Sequence, residues 1–573
     1  MSQLLDSCFV AVNAEEEVER IKVIPEFLRR FVECWKVHTE IFVNEVLIPI
    51  ELFIGFKSDF PYSLPSLYFQ SLQFGYLPHV ESKGGKLCLF EDGVSYKTDN
   101  PKDLVVYCIK KAKTLLREGA EKTNWTDFKA EISSYWIRSY NEEPDVNMCY
   151  IIYDRIPTST MALNAINYSA PVRGITNRKT IDNTLLFESD DEPFNGFLSK
   201  NFPVRLEKAF FINSFLIPNK APYEMTFSSF VNMIADVEDR RQVKRYINHN
   251  NGGRVFFRLT NNRIGGVFIP PVKLDRKGFR KGSLTASEIY LKFEKKRSFL
   301  TRLYGSLYSK ERIAERTLGT LMTKQNFAVA GLGSVGSNLV HFLNGYNNAS
   351  FTLIDNDRLT IDNIGRHLLG FRFVNQFKVD AIAYYLQTIR PEQENMAVVG
   401  NIQTYINNNI AELNRHSALF LCTGDTMADL YVIKAINQHL ITIPVFFLWL
   451  EPYGVAAHMV YINRNEYQPI EIFSSDSLLY KYNAIDDVEY GKPDNCFTKK
   501  DAGCNGSYAL YSGNDVLEMM SAFYPIICRI LSNPTDSKCY RWIGNVKNIV
   551  KEGIVCKDEF EGVQKGIIQE LPL

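Results

Sequence analysis

Residues 327–345 read FAVAGLGSVGSNLVHFLNG. The first half, FAVAGLG, is a short apolar run that closes on glycines. The second half, SVGSNLVHFLNG, carries apolar residues at helical spacing. A buried strand that turns through Gly331-Leu332-Gly333-Ser334-Val335-Gly336 into a helix is the setting of a nucleotide-binding loop. Glycines let the backbone approach a ligand closely, and the helix start offers unpaired N–H groups to anionic oxygen.

The pattern continues downstream. SFTLIDND (350–357) is a second strand ending in acids, and QFKVDAIAYYLQTI (376–389) a helix. SALFLCTGD (417–425) and ITIPVFFLWLEP (441–452) are further strands, and 513–532 is a helix. Strands alternating with helices predict a parallel, doubly wound α/β sheet. Asp355 ends the second strand, placed to accept ribose hydroxyls. Asp357, Asn363-Ile364-Gly365-Arg366-His367, Lys378 and Asp425 follow at strand ends or helix starts, where such folds bind ligands. Arg366 and Lys378 supply positive charge, and Asp425 can hold Mg²⁺. Enzymes that split ATP between the α- and β-phosphates need this charge to neutralise the departing pyrophosphate. A nicotinamide dehydrogenase would not explain Arg366, Lys378 and Asp425 together. An empty Rossmann-like core is the bland alternative.

The 573 residues suggest two to four domains. Lys plus Arg equals Asp plus Glu at 65 each, which argues against a basic nucleic-acid sleeve and leaves no nucleic-acid partner expected. With 46% hydrophobic and 23% charged residues the chain is too apolar for intrinsic disorder. No apolar run approaches the ~18 residues of a membrane span, and MSQLLDSCFVAVNAEEE lacks a basic secretory start, so a cytoplasmic protein is expected. Eleven cysteines without a C-x-x-C pair argue against a disulfide framework and a structural zinc site. No H-E-x-x-H signature occurs.

Three domains are expected: 1–145, an α+β connecting domain at 146–300, and 301–573. Near the N-terminus, 25–38 reads as a helix, VLIPIELFIG (46–55) as a strand, 101–118 as a helix with Leu104, Val105, Cys108, Ile109, Ala112 and Leu115 on one face, and 125–140 as a second helix. In the middle, CYIIYDRI (149–156) is strand-like, 188–192 a linker, 222–248 helical and 254–269 a hairpin.

The run from Gly331 through DND, NIGRH, Lys378 and TGD resembles the adenylation domain of ubiquitin-activating enzymes and their bacterial ThiF/MoeB relatives, over about 325–535. The resemblance implies ATP and Mg²⁺ as cofactors, Arg366 and Lys378 on phosphate, Asp355 on ribose, and Asp425 positioning Mg²⁺ and the attacked α-phosphate. Such enzymes often complete the site with an arginine before the first strand; Arg316 is preferred here over Arg312. Their catalytic cysteine lies on a loop late in the domain, which points to Cys504 in DAGCNGS (501–507), with Cys496 in PDNCF its rival. A free thiol with a pKa near ~8.5 is thiolate enough at neutral pH to attack a mixed anhydride.

Residues 60–69, FPYSLPSLYF, and 77–90, LPHVESKGGKLCLF, resemble the ubiquitin-conjugating fold, over about 1–145. The match rests on Pro61, Pro65, His79 and Gly85-Lys86-Leu87-Cys88-Leu89, and gives Cys88 the catalytic thiol role; a buried core cysteine is the alternative. The asparagine of the family's H-P-N triad is absent, since Val80 follows His79. The two domains in one chain resemble the fusion enzymes of antiphage CBASS operons. That resemblance implies an acyl adenylate formed on the C-terminus of a cGAS/DncV-like nucleotidyltransferase, thioesters on Cys504 and then Cys88, a lysine acceptor on a target protein, and a homodimer. The other readings are a ThiF/MoeB-type adenylyltransferase of a sulfur carrier and a non-catalytic nucleotide-binding scaffold.

Overall fold

The computed structural model describes residues 2–573 apart from 72, 76, 82–83, 91–92, 94–95, 125, 128–131, 134–135, 137–145, 152–155, 174–177, 188–199, 202–203, 218–224, 261–262, 276, 281, 294–299, 308–309, 347, 392, 464–469, 475–476, 493–497, 501–506 and 561. The chain divides into two compact units, 1–189 with 202–309, and 190–201 with 310–573.

The first unit opens with α1 (Ser2–Asn13) and an antiparallel meander of β1 (Glu17–Arg20), β2 (Glu33–Val43), β3 (Val46–Phe56) and β4 (Ser66–Tyr68), in spatial order 1-2-3-4. The expected helix over 25–38 is a correction: only Glu26–Leu28 turns, and β2 starts at Glu33. Trp35, Val37, Ile41 and Val43 are buried while His38, Glu40 and Phe42 are not, a period of two that the local sequence carries and a helix cannot satisfy. Asn44 and Glu45, both at positive φ, make the two-residue turn into β3. The helix expected at 101–118 is α2 (Pro101–Ala120), with Asn100 accepting the Asp103 N–H at 3.5 Å. Its buried face, Val105, Cys108, Ile109, Ala112, Leu115 and Leu116, packs with Trp35, Leu52 and Ile54. Each fully buried large aliphatic side chain there contributes roughly 1.5–3 kcal/mol. Of the helix expected at 125–140, residues 126–127, 132–133 and 136 are helical and the rest lie outside the described residues.

β5 (Val146–Ile151), β6 (Met161–Arg173), β7 (Arg178–Phe187), β8 (Val204–Ile212), β9 (Gly253–Thr260), β10 (Arg263–Ile269) and β11 (Thr301–Leu307) close into a barrel in the order 10-11-5-7-6-8-9. The expected hairpin at 254–269 is β9–β10. The helical stretch expected at 222–248 is two helices, α3 (Phe227–Asn232) and α4 (Val237–Asn250), because Asp236 leaves the helix and caps the second by accepting the Asp239 N–H. A short α5 (Ala286–Lys292) packs with them. The buried Trp136 indole donates to the Leu303 carbonyl at 2.7 Å, and Arg302 donates back to the Trp136 carbonyl at 2.8 Å.

The second unit begins with α6 (Lys310–Thr317). Then β12 (Gln325–Ala330), α7 (Ser334–Leu343), β13 (Ala349–Ile354), α8 (Lys378–Ile389), β14 (Asn395–Val398), α9 (Ile402–Leu413), β15 (Ala418–Leu421), α10 (Thr426–Asn437) and β16 (Val445–Leu450) alternate. β17 (Ala456–Ile462), α11 (Asp487–Tyr490), the hairpin β18 (Thr498–Lys500) with β19 (Ser507–Ala509), α12 (Gly513–Ser532), β20 (Lys538–Ile543), α13 (Val546–Lys551) and β21 (Ile568–Leu571) follow. The eight-stranded sheet runs 14-13-12-15-16-17-20-21. The first five strands are parallel, as expected for the four read from the sequence, with β14 added to them; the last three are antiparallel. Residues 451–455 between β16 and β17 are too few for a crossover, so the chain must double back.

Alternation along β12 sets two layers. Phe327 and Val329 join the cluster with α7, α8 and α12, and Ala328 and Ala330 join that with α9 and α10. The chain leaves β12 for β13 on one side and later reaches β15 on the other. This is the switch point beyond whose strand ends such sheets leave a crevice. Among the described residues no helix is long and apolar enough to cross a membrane.

Candidate functional site

At the switch point the glycines are there for space. Gly331 has φ +82°, and a Cβ on it would meet the Cys422 carbonyl carbon at 2.7 Å. A Cβ on Gly336 would lie 1.8 Å from the Gly331 carbonyl oxygen. Gly333 is the N-cap of α7 and has open space around it. The loop is thus pressed against the chain just past β15 at Gly331, against its own backbone at Gly336, and is open at Gly333.

A cleft of about 180 Å³ lies above this loop, lined by Gly333, Ser334, Val335, Asn363, Arg366, Cys422, Thr423, Gly424, Leu448, Trp449, Leu450 and Tyr511. Of the sequence-derived candidates, Gly333, Asn363 and Arg366 line it directly. Asp355, Asp357 and Lys378 form a cluster tied to the loop from behind. Asp355 is buried, accepting the Leu332 N–H at 2.6 Å and the Asp357 N–H at 2.7 Å. Burial pushes its carboxyl above the ordinary range, and the Lys378 charge opposes this. Each carboxylate oxygen has a second lone pair for a further donor. Lys378 is itself buried and donates to Asp357 at 2.8 Å.

Arg366 follows the turn Ile361–Asn363, which the Asn363 side chain closes by accepting from Thr360 Oγ1 at 3.0 Å. Its guanidinium donates to the Ala509 carbonyl at 2.8 Å and lies 4.6 Å from the centre of the Tyr511 ring. The next residue, His367, is buried and bonded on both sides. Its Nδ1 accepts the Leu369 N–H at 3.0 Å, and its Nε2 lies 2.9 Å from the Leu332 carbonyl, to which it donates. Those partners require the neutral ring protonated on Nε2, and burial lowers its pKa to about 4.

Asp425 is exposed and caps α10, one oxygen accepting the Met427 N–H at 2.9 Å. One turn further in, Asp429 is buried, and burial, then the Asp425 charge, push its pKa up to about 7. Arg316 is exposed on α6 and Arg312 half-buried. Cys496 and Cys504 lie outside the described residues. The chain leading towards them is held at Glu451, a buried carboxylate just past β16. It accepts the Ala484 and Ile485 N–H groups at 2.7 and 3.0 Å and pairs with the buried His458 at 2.6 Å.

In the other unit, Cys88 sits on a tight return of the chain. Its N–H donates to the His79 carbonyl at 2.8 Å, Val80 pairs with Leu87, and the Leu87 N–H donates to the Leu67 carbonyl at 2.8 Å. Leu87 and Leu89 are buried and Cys88 is half-buried, so alternation turns its thiol away from the leucines. Among the described residues Cys8, Cys34 and Cys108 are the core thiols of this unit, with Cys34 pushed up by burial to about 11 and Cys108 to about 12. His79, at φ +59°, lies 3.6 Å from the Asp127 carboxylate. A wider groove of about 1220 Å³ runs across β2 and β3, and neither Cys88 nor a glycine-loop residue lines it.

Sequence reading missed Tyr511, Trp449, Asp429 and the Glu451–His458 pair. No local pattern marks them: Tyr511 reaches Ser334 across 177 positions, with hydroxyl oxygens 2.6 Å apart.

Comparison with known proteins matches one segment in each unit. The ThiF family model matches residues 311–550, and the prokaryotic E2 family B model matches residues 33–144. No curated protein matches the chain. Among solved structures, the chain is similar to E. coli tRNA N6-threonylcarbamoyladenosine dehydratase TcdA, at 20% identity over 24% of this chain and 59% of that one, TM-score 0.22. The same protein in complex with ATP gives 19%, 26%, 64% and 0.23. E. coli MccB with MccA-N7isoASN gives 11%, 43%, 64% and 0.29. The chain thus spans less than two thirds of each of these structures. With a glycine-loop crevice in one unit and a half-buried thiol return in the other, each inside its matched segment, this polypeptide joins a prokaryotic E2-type domain to a ThiF-family domain.

Proposed function

We propose that the chain activates the C-terminal carboxylate of a partner protein with ATP and passes it through two thiols to a lysine. The observation that carries the reading is the glycine-loop cleft backed by Asp355, Lys378 and Arg366. It combines open backbone at Gly333, a buried acid for ribose, and two cations for phosphate. The ThiF match and the ATP bound to TcdA support the nucleotide, and the E2-type match supports the onward transfer.

Lys378, Arg366 and the N–H groups at the start of α7 hold the phosphates and favour charge developing at the α-phosphorus. Among the described residues no group of three or more His, Cys, Asp or Glu could hold a metal. Mg²⁺ in nucleotide sites takes one or two carboxylates, with phosphate supplying other ligands. Asp425, with one oxygen committed to its helix, fits that sparse role; Mg²⁺ there would shield phosphate charge. The partner's carboxylate attacks the α-phosphorus, giving acyl adenylate and pyrophosphate. The Cys504 thiolate displaces AMP, Cys88 takes the acyl group by thiol exchange, and a lysine amine displaces Cys88 to form an amide. Within one chain the second thiol works at an effective concentration of up to roughly millimolar. In our reading the partner is a cGAS/DncV-like nucleotidyltransferase, the setting antiphage defence in the cytoplasm, and the enzyme a homodimer, with Arg316 completing the nucleotide site.

Incubation with ATP, Mg²⁺ and such a nucleotidyltransferase should give a DTT-sensitive adduct that needs Cys504 and Cys88. Absence of any adduct in the wild type, or one unchanged in the double Cys88→Ala, Cys504→Ala variant, would sink the reading.

A further inference from the structure

Arg366 and Lys378 are held in opposite ways. Lys378 is paired with the Asp357 carboxylate. Among the described residues Arg366 makes no salt bridge; its partners are the Ala509 carbonyl and the Tyr511 ring, both uncharged. Such partners fix a guanidinium without cancelling its charge, and only one of its five N–H groups is spent on Ala509. Tyr511 is fixed in turn: its hydroxyl bonds Ser334 at 2.6 Å, at the first residue of α7. Asn338, one turn along α7, donates to the Ser334 carbonyl at 2.7 Å and the Arg366 carbonyl at 3.3 Å. Ser334, Arg366 and Tyr511 all line the same cleft. An uncancelled cation is therefore registered against the positive end of α7, where an anion is favoured twice over.

We propose that Tyr511 is a positioning residue for phosphate binding. Its ring carries the Arg366 guanidinium, and its hydroxyl locks that arrangement to the start of α7. The inference rests on the nucleotide reading above and adds a residue to it. A cation held only by a flexible stem would pay its rotamer entropy each time phosphate arrives; a stacked one has paid it in folding.

The test is a double-mutant cycle on ATP affinity, measured by calorimetry with the full chain and Mg²⁺. Tyr511→Leu should weaken ATP about tenfold in the wild-type background and less than twofold on Arg366→Ala, because the guanidinium it positions is gone. Tyr511→Phe, which keeps the ring, should bind within about threefold of wild type. Equal losses from Tyr511→Leu in both backgrounds, no loss in either, or a Phe variant as weak as the Leu variant would each overturn the proposal. If Tyr511→Leu does not fold, the cycle runs with Ser334→Ala. That variant unties the hydroxyl and should cost about threefold with Arg366 present and nothing without it; an equal cost overturns the proposal. Wild-type protein that binds no ATP overturns the nucleotide reading itself, and this inference with it.

Discussion

Asp355, Lys378 and His367 are each less than a tenth exposed, and their side chains bond Leu332 of the glycine loop, Asp357 and Leu369. Around Cys88 the buried neighbours are Leu87 and Leu89, and the ion pair nearby, His79 with Asp127, is part-exposed and 3.6 Å long. Charge taken out of water must be matched by the fold, so the first region is fixed before any ligand arrives. The second is shaped by backbone hydrogen bonds, from Cys88 N–H to the His79 carbonyl and from Leu87 N–H to the Leu67 carbonyl. A site that must bind a polyanion has to carry its own charge.

The largest effect should come at the half-buried thiol. Cys88→Ser is expected to cut lysine-linked product at least ~100-fold, because a neutral hydroxyl replaces the nucleophile; product at wild-type rates in a gel time course would remove Cys88 from the pathway. Next, Lys378→Ala strands Asp355 as a buried charge with weakened compensation. ATP affinity should fall by about 100-fold, and a fall below threefold would mean the buried cluster is not part of the nucleotide site.

Two stability effects sharpen the contrast. Gly85 holds the Cys88 return at φ +66°, and a Cβ there would sit 1.9 Å from the Phe69 carbonyl oxygen. Gly85→Ala should cost about 3 kcal/mol in denaturant unfolding. Gly84→Ala, whose nearest contact would be 3.8 Å away, should cost about 1 kcal/mol. Equal costs would show that backbone packing does not shape the thiol return.

Asp429 probes the buried charge by pH. Its folded pKa is raised to about 7, above the unfolded value of ~4. The folded state therefore holds a proton that the unfolded state has lost, and stability declines as pH rises between those values. His367 runs the other way: with its folded pKa lowered to about 4, stability is lost as pH falls from ~6.5 towards that value. Both slopes are present in the wild type, and Asp429→Asn removes one. The variant should gain about 2 kcal/mol on the wild type between pH 4.5 and pH 6.5; a constant difference would mean Asp429 is not buried as described.

What the sequence revealed follows from how local each signal is. The strand–glycine–helix run at 327–345 carries its own period and breaks, and it folds as read. Residues 25–38 misled because an isolated apolar run fits either period, and the alternation of Trp35 and Val37 resolves only when Ile41 and Val43 are counted with them. The antiparallel end of the large sheet was hidden because AAHMVYI, buried on both faces, looks the same whichever way it runs. The barrel was illegible for a deeper reason. β5 pairs in parallel with both β11 and β7, and no local turn announces either partner. Arg366 in the cleft and Asp355 and Lys378 behind its loop could be singled out from their places at strand ends and helix starts; Tyr511 could not, since only folding brings it to Ser334.

The ring formed by β5 to β11 has a consequence for recruitment. Each of its seven strands already has a neighbour on either side, so an extended polypeptide cannot zip onto it by backbone pairing. A visiting protein would have to be gripped there through side chains on loops or outer surfaces. Strand-wise capture is left to the open margins of the other sheets.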